Sequence, residues 1–213
     1  YDSYFRSKDL SFNNKSIITY NPFFNMNSIF IVEDINIKKL RNININQLLS
    51  FKNLIKKINT KNEINYQSKK FSKTLINNLN LSFNLAYGRL TYQKKISISG
   101  GFFTCEGEIN LLEEFPILYF DCLVTINDKK KLLKEFSINY KNKNELLNLK
   151  VQGNVNILNN KINFKKISMN DDYVASKEDL IYFQQSFEDI LFNKNFYGIF
   201  NIKKIKEFIM EIS

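Results

Sequence analysis

Paired acidic residues are the side chains of this sequence best suited to acid–base chemistry, because the chain contains no histidine. That absence removes the Ser-His-Asp and Cys-His nucleophile systems and most zinc sites. Glu106 and Glu108 share one face of a predicted strand, where two carboxylates could act as general acid and base. Their face lies opposite the apolar face, which favours a solvated outer surface. We therefore predict no catalytic residue and no enzymatic activity.

The sequence also offers little to a metal ion or a cofactor. Asp171 and Asp172 lie in a predicted loop and could bind a hard cation such as calcium, but no further ligands lie nearby in the sequence. Neither of the glycine-rich patterns that cradle phosphates occurs. We predict no metal site and no cofactor.

Cys105 and Cys122, the two cysteines of the chain, lie on neighbouring predicted strands. A tight turn over Glu113 and Glu114 would pair these strands antiparallel, with Phe103 opposite Val124 and Cys105 opposite Cys122. The pair is either two small apolar core residues or a cross-strand disulfide formed in an oxidising compartment. The sequence leaves both alternatives open.

Residues 75–170 predict a long antiparallel β-sheet, because apolar and polar residues alternate there with the period of two that a half-buried strand requires. The alternation is clearest from Leu146 to Leu158. Shorter strands are predicted at Leu90–Gln93 and Ile96–Ser99, and another around Phe136, Ile138 and Tyr140. The apolar face of this sheet is the candidate binding surface, and its candidate residues are Phe83, Leu85, Phe103, Ile109, Phe120, Leu149, Val151 and Val155.

The first third of the chain, residues 1–74, predicts a partial β/α segment. Short strands are expected at Ser16–Tyr20 and Ile29–Ile37. Apolar residues then recur every three or four positions, which predicts an amphipathic helix at about 44–59. The helix could pack on the sheet, or dock on a membrane or a partner protein. The polar, lysine-rich residues 60–74 are expected to be a connection.

The last segment, residues 171–213, predicts a helical cap with two amphipathic helices. Ser176 and Asp179 have the spacing of a capping box at the start of the first, and Asn201 could cap the second. The whole chain is thus predicted to be mainly β with α: a long, curled, groove-like antiparallel sheet, with one helix in its N-terminal half and two at its C-terminal end.

Charge and composition restrict the choice of partners. The net charge is +10, from 31 Lys and Arg against 21 Asp and Glu, yet only Arg6, Arg41 and Arg89 are arginines. Nucleic-acid readers depend on arginine for bidentate contacts, so nucleic-acid binding is disfavoured and an anionic membrane surface is the more plausible partner. No apolar run reaches the ~18 residues that span a bilayer. Because the chain begins at Tyr1, we expect it to be a piece of a longer protein.

Three segments carry a resemblance to the AsmA-like family of Gram-negative bacterial envelope proteins. They read ISISGGFFTCEGEINL, FPILYFDCLVTINDKKKLLKEFSI and LNLKVQGNVNILNNKINFKKISM. Each combines alternating strands with a mid-strand glycine (Gly107, Gly153) or a lysine-flanked strand. The clear part of the resemblance covers about a third of the chain, within residues 96–169.

The resemblance implies a function that composition and periodicity do not give. It implies a periplasmic part of a protein anchored in the inner membrane, whose apolar β-groove conducts phospholipid or another acyl-chain lipid toward the outer membrane, without catalysis. The implied partners are lipid, the membrane surface and other envelope proteins. The alternative is a structural or interaction protein whose apolar face is a closed core.

Overall fold

The computed structural model describes residues 1–8, 10–35, 49–67, 76–139, 146–170 and 172–192. They form one open sheet of eleven strands, whose order in space follows their order in the chain, and three helices. The strands are β1 (Asp2–Arg6), β2 (Leu10–Thr19), β3 (Asn25–Ile35), β4 (Asn59–Gln67), β5 (Ile76–Ala86), β6 (Arg89–Ile98), β7 (Gly101–Asn110), β8 (Ile117–Ile126), β9 (Leu147–Asn156), β10 (Lys161–Met169) and β11 (Tyr173–Val174). The helices are α1 (Lys52–Ile55), α2 (Lys129–Glu135) and α3 (Lys177–Phe192).

The predicted hairpin of β7 and β8 is confirmed together with its register. Phe103 lies opposite Val124, and Cys105 lies opposite Cys122. β9 then pairs with β8, so that β7, β8 and β9 lie side by side in the sheet. The antiparallel prediction is wrong at one place, since β3 and β4 run parallel with Asn25 beside Asn59. Before β4 begins, the chain has returned to the starting end of β3.

The first third of the chain contains more strand than its apolar pattern predicts. β1 was not expected, and β2 begins well before Ser16. The expected connection over residues 60–74 is wrong for its first part, which is β4; residues 68–75 lie outside the described residues. The sequence of β4 shows no apolar alternation, because its inward residues include Thr60 and Asn62. These two residues are buried and joined by a hydrogen bond of 3.0 Å.

The predicted helix at 44–59 is shorter in its described part than the periodicity suggests. Helical residues there end with α1 at Ile55, and Asn59 already belongs to β4. Ile55 is buried, but Phe51 and Leu54 are 57% and 56% exposed, so the predicted apolar stripe does not pack on the sheet as a whole. Residues 44–48 lie outside the described part of the chain.

Two further expectations about strands need correction. The short strands at Leu90–Gln93 and Ile96–Ser99 are one continuous strand, β6. Phe136 and Ile138 do not form a strand, because the charged residues before them form α2 and Phe136 closes that helix as a buried residue. Asp128 caps α2 by accepting a hydrogen bond of 2.9 Å from the Lys131 amide. Tyr140 lies outside the described residues.

The capping box of α3 is confirmed. The Asp179 carboxylate accepts a hydrogen bond from the Ser176 amide at 2.9 Å, and the Asp179 amide donates to the Ser176 hydroxyl at 3.2 Å. The predicted second helix, from Asn201, lies outside the described residues. The division of the chain at residues 74 and 170 stays a prediction.

Candidate functional site

All eight candidate residues lie on one face of the sheet. The strand registers show this directly, because each residue is aligned with the others through its cross-strand neighbours. One row runs from Phe83 through Tyr92 and Gly107 to Phe120. We call this side the apolar face and the opposite side the polar face.

α1 covers one part of the apolar face. Ile55 packs in a cluster with Ile109 and Leu111, and Leu85 packs against that cluster. Ile109 is only 4% exposed. Ile109 and Leu85 are therefore part of a covered core in this region.

α3 covers a second part of the apolar face, over β9 and β10. Val155 and Phe164 belong to a buried cluster there, and the ring centroids of Phe164 and Phe187 of α3 lie 5.6 Å apart, edge to face. Three other candidate residues pack against this cluster while staying half-buried: Phe120, Leu149 and Val151.

Between the two helices, the apolar face is open within the part of the chain that the structure describes. Phe83 and Phe103 belong to neither cluster and are half-buried. Leu81, in the same region, is also half-buried. Leu81, Phe83 and Phe103 make this open part largely aromatic and aliphatic, which offers apolar contact to a ligand.

Lys94 stands in the middle of the open part, opposite Leu81 on one side and Cys105 on the other. By strand register it is the one charged residue on the apolar face, among the side chains that the structure describes. Its Nζ lies 4.9 Å from the centroid of the Phe103 ring. Burial lowers the pKa of Lys94 below its usual value, because the apolar surroundings disfavour the charged form.

Two polar groups adjoin Lys94 on the same face. Cys105 and Cys122 are joined by a disulfide across β7 and β8, and the Tyr92 hydroxyl lies 3.6 Å from Sγ of Cys105. Burial raises the pKa of Tyr92, so its hydroxyl stays neutral over the physiological range. Gly107 leaves room for Tyr92, because a Cβ at that position would lie 2.8 Å from the ring. No carboxylate of the described residues pairs with Lys94.

The polar face carries the carboxylates that the sequence singles out. Glu108 pairs with Arg89, and Glu106 accepts a hydrogen bond of 3.4 Å from Gln93. Surface hollows of about 610 and 670 Å³ follow this face, lined by side chains such as Glu106, Asp121 and Gln152.

The acidic loop offers no metal centre in the part that is described. Asp172 is exposed, and Asp171 lies outside the described residues. Within the described ranges, no group of three or more possible metal ligands comes together.

Lys94 is the feature that sequence reasoning missed. The signal was present, because Leu90, Tyr92, Ile96 and Ile98 continue the alternation of β6 with Lys94 in phase. Because a lysine at an inward position interrupts the apolar pattern, the sequence predicts two short strands where the structure has one.

Comparison with family models, with curated proteins and with solved structures gives no match. No helix among the described residues has the length and apolar character needed to cross a membrane.

Proposed function

We propose that this chain is a non-catalytic module that binds the acyl chains of phospholipid on the open part of its apolar face. The observation that carries the proposal is the half-buried surface around Leu81, Phe83 and Phe103, which neither α1 nor α3 covers. An apolar surface of this kind is stabilised by contact with another apolar surface, and acyl chains supply one without demanding directional bonds.

The proposal needs an open apolar face rather than an enclosed cavity. The hollows lined by described residues such as Glu106, Asp121 and Gln152 lie on the polar face. In the finer form of the proposal, the sheet curls so that the apolar face becomes a groove along which lipid moves between membranes, as in an AsmA-like envelope protein.

Lys94 gives the face a place for the phosphate of a phospholipid. Its ammonium lies among apolar side chains, without a carboxylate partner in the described part of the chain. An anionic headgroup would compensate a charge that is now only partly solvated.

The disulfide supports a proposed location outside the reducing cytosol. Disulfides form and persist in oxidising environments, including the bacterial periplasm. The Cys105–Cys122 bridge lies inside the candidate site, beside Lys94. We propose a periplasmic location on this ground, in keeping with the family that the sequence resembles.

A second candidate function is an interaction module whose partner is a second copy of the chain. β1 stands at one edge of the sheet, and Tyr4, Ile17 and Ile31 near that edge are 54%, 69% and 50% exposed. Edge strands with apolar surroundings pair readily with other strands. This candidate predicts a stable oligomer and no bound lipid.

Native mass spectrometry of the purified chain, followed by solvent extraction, tests the proposal. Phospholipid bound to a folded monomer is the expected result. A lipid-free protein that light scattering shows to be a stable oligomer would replace the proposal by the second candidate.

A further inference from the structure

One end of the sheet gathers four turns and α1. The turns are those between β2 and β3, β5 and β6, β7 and β8, and β9 and β10, and we call this side of the molecule the turn end. Backbone hydrogen bonds tie its parts together: the Asn59 amide donates to Phe24 at 3.3 Å, and the Tyr87 amide donates to Ile58 at 3.1 Å. The Lys52 ammonium of α1 donates to the Glu113 carbonyl at 2.6 Å.

Large apolar side chains project into solvent from every part of the turn end. Their exposed fractions range from 40% to 69%, and the residues are Tyr20, Phe23, Phe51, Leu54, Tyr87, Phe115 and Leu158. Single exposed apolar residues are common on soluble proteins. Seven that come from five separate segments and meet at one end of a sheet need another explanation.

Charge near these residues is close to balanced, because Lys52 of α1 adds a single positive charge to two lysines and two glutamates. Lys56 and Lys57 follow Phe51 and Leu54 in the chain, while Glu113 and Glu114 precede Phe115; all four charged side chains are exposed. Electrostatic attraction to an anionic surface is therefore not the main contribution that the turn end can make to binding. The lysines can instead extend their charges to the water side while their stems stay beside the apolar residues.

We propose that the turn end inserts its seven exposed apolar side chains into the interface of a lipid bilayer. A fluid interface accommodates side chains that stand on separate turns, whereas a protein partner would need a shape matched to all of them. Tyrosine is enriched at membrane interfaces, and phenylalanine and leucine enter the acyl boundary. The backbone groups of these turns are already bonded to one another in part, which lowers the cost of leaving water. This docking does not require lipid on the apolar face.

Flotation with phosphatidylcholine vesicles tests the proposal, because these vesicles carry no net charge. The chain is expected to float with them, and to do so equally at low and at high salt. Binding that requires anionic lipid and disappears in salt would overturn the proposal in favour of attraction by the net positive charge.

Matched variants locate the contact. Phe23→Ser with Phe115→Ser is expected to weaken vesicle binding by about tenfold or more, because each change removes an apolar side chain from the interface. Ile17→Ser with Ile31→Ser removes comparable exposed apolar area from β2 and β3 and should leave binding unchanged. Equal losses in both pairs would overturn the proposal.

Two further measurements test whether a loss of vesicle binding comes from unfolding and whether the turn end itself enters the bilayer. Circular dichroism melts of both pairs should match the wild type, since the four side chains are exposed. A nitroxide attached at Phe115→Cys should become inaccessible to a water-soluble relaxation agent when vesicles are added, and one attached at Ile31→Cys should stay accessible. A label at position 115 that stays accessible would contradict insertion even if the chain floats.

Discussion

The ammonium of Lys94 lies over the ring of Phe103, 4.9 Å from its centroid, on the apolar face of the sheet. The contact stabilises a charge that apolar neighbours would otherwise disfavour. It does so without neutralising the charge, so Lys94 remains available to an anion. This relationship links the open apolar surface to the charged part of a lipid.

Replacing Lys94 by glutamine is expected to remove a preference for phospholipid over diacylglycerol with the same acyl chains. Loss of one charge-assisted contact corresponds to about tenfold or more in affinity. Lipid retained after repurification from mixed micelles measures the preference. Lys95→Gln is the control, because Lys95 is exposed on the polar face of the same strand.

The preference for phospholipid over diacylglycerol should also weaken at high pH, because Lys94 loses its charge there. The charged form binds phosphate, so the preference declines as pH rises through the lowered pKa of Lys94, which lies below the ordinary 10.5. Tyr92 is the titratable neighbour on this face, and its raised pKa keeps it neutral over that range. A preference that survives in Lys94→Gln would show that another group holds the headgroup.

Phe164→Ala is expected to destabilise the protein by about 3–5 kcal/mol, because it empties the centre of the core beneath α3. The Phe164 ring is 8% exposed and makes edge-to-face contacts with Phe120 and Phe187. Urea unfolding followed by circular dichroism measures the loss. Phe115→Ala, at a side chain 61% exposed, should change the free energy of unfolding by less than ~0.5 kcal/mol. Similar losses in the two variants would contradict this packing.

Reduction of the Cys105–Cys122 disulfide is expected to lower the free energy of unfolding by about 2–4 kcal/mol. The bridge closes a loop between residues 17 positions apart, and a loop near that length restricts the unfolded chain by about that amount. Urea unfolding with and without reductant measures the change. The double variant Cys105→Ala with Cys122→Ala should be insensitive to reductant, and a wild type that is equally insensitive would mean that the thiols are free.

Asp179 is expected to make the docking of α3 sensitive to acid. Hydrogen bonds from the Tyr173 hydroxyl and from the amide and hydroxyl of Ser176 lower the pKa of Asp179 below its usual 3.8. A carboxyl with a lowered folded pKa contributes stability above 3.8, and that contribution is lost as pH falls through the folded value.

The measurement is the melting temperature of wild type and Asp179→Asn from pH 7 to pH 2. The variant should melt lower at pH 7, and the difference should shrink in acid. Glu178→Gln, in the same first turn but outside the capping box, should follow the wild type. A difference that stays constant down to pH 2 would exclude the carboxylate as its cause.

Regular alternation made β7, β8 and β9 predictable, including the opposition of Cys105 and Cys122. The capping box of Ser176 and Asp179 was equally visible, since it depends on residue types at a fixed spacing. β4 was not predictable from apolar residues, because Asn62 and Thr60 face inward and satisfy each other by a hydrogen bond. Periodicity reports which face a residue takes and not whether that face is covered.

That distinction limits what the sequence could say about the candidate site. Ile109 and Phe103 lie on the same strand and the same face, yet Ile109 is buried under α1 while Phe103 stays half-buried beside Lys94. Where the helices lie depends on contacts between distant parts of the chain. The parallel pairing of β3 with β4 also has no local signature in the sequence.

The most direct test of acyl-chain binding compares two neighbouring residues of β5 that take opposite faces. Phe83→Glu puts a charge on the open apolar face, and Ser82→Glu puts the same charge on the polar face, where Ser82 is exposed. Each protein is incubated with phospholipid vesicles, repurified and analysed for bound phospholipid, with circular dichroism as the check of folding. Our account predicts phospholipid on the wild type and on Ser82→Glu, and none on a folded Phe83→Glu. Equal loading of both variants, or no lipid on the wild type, would contradict it.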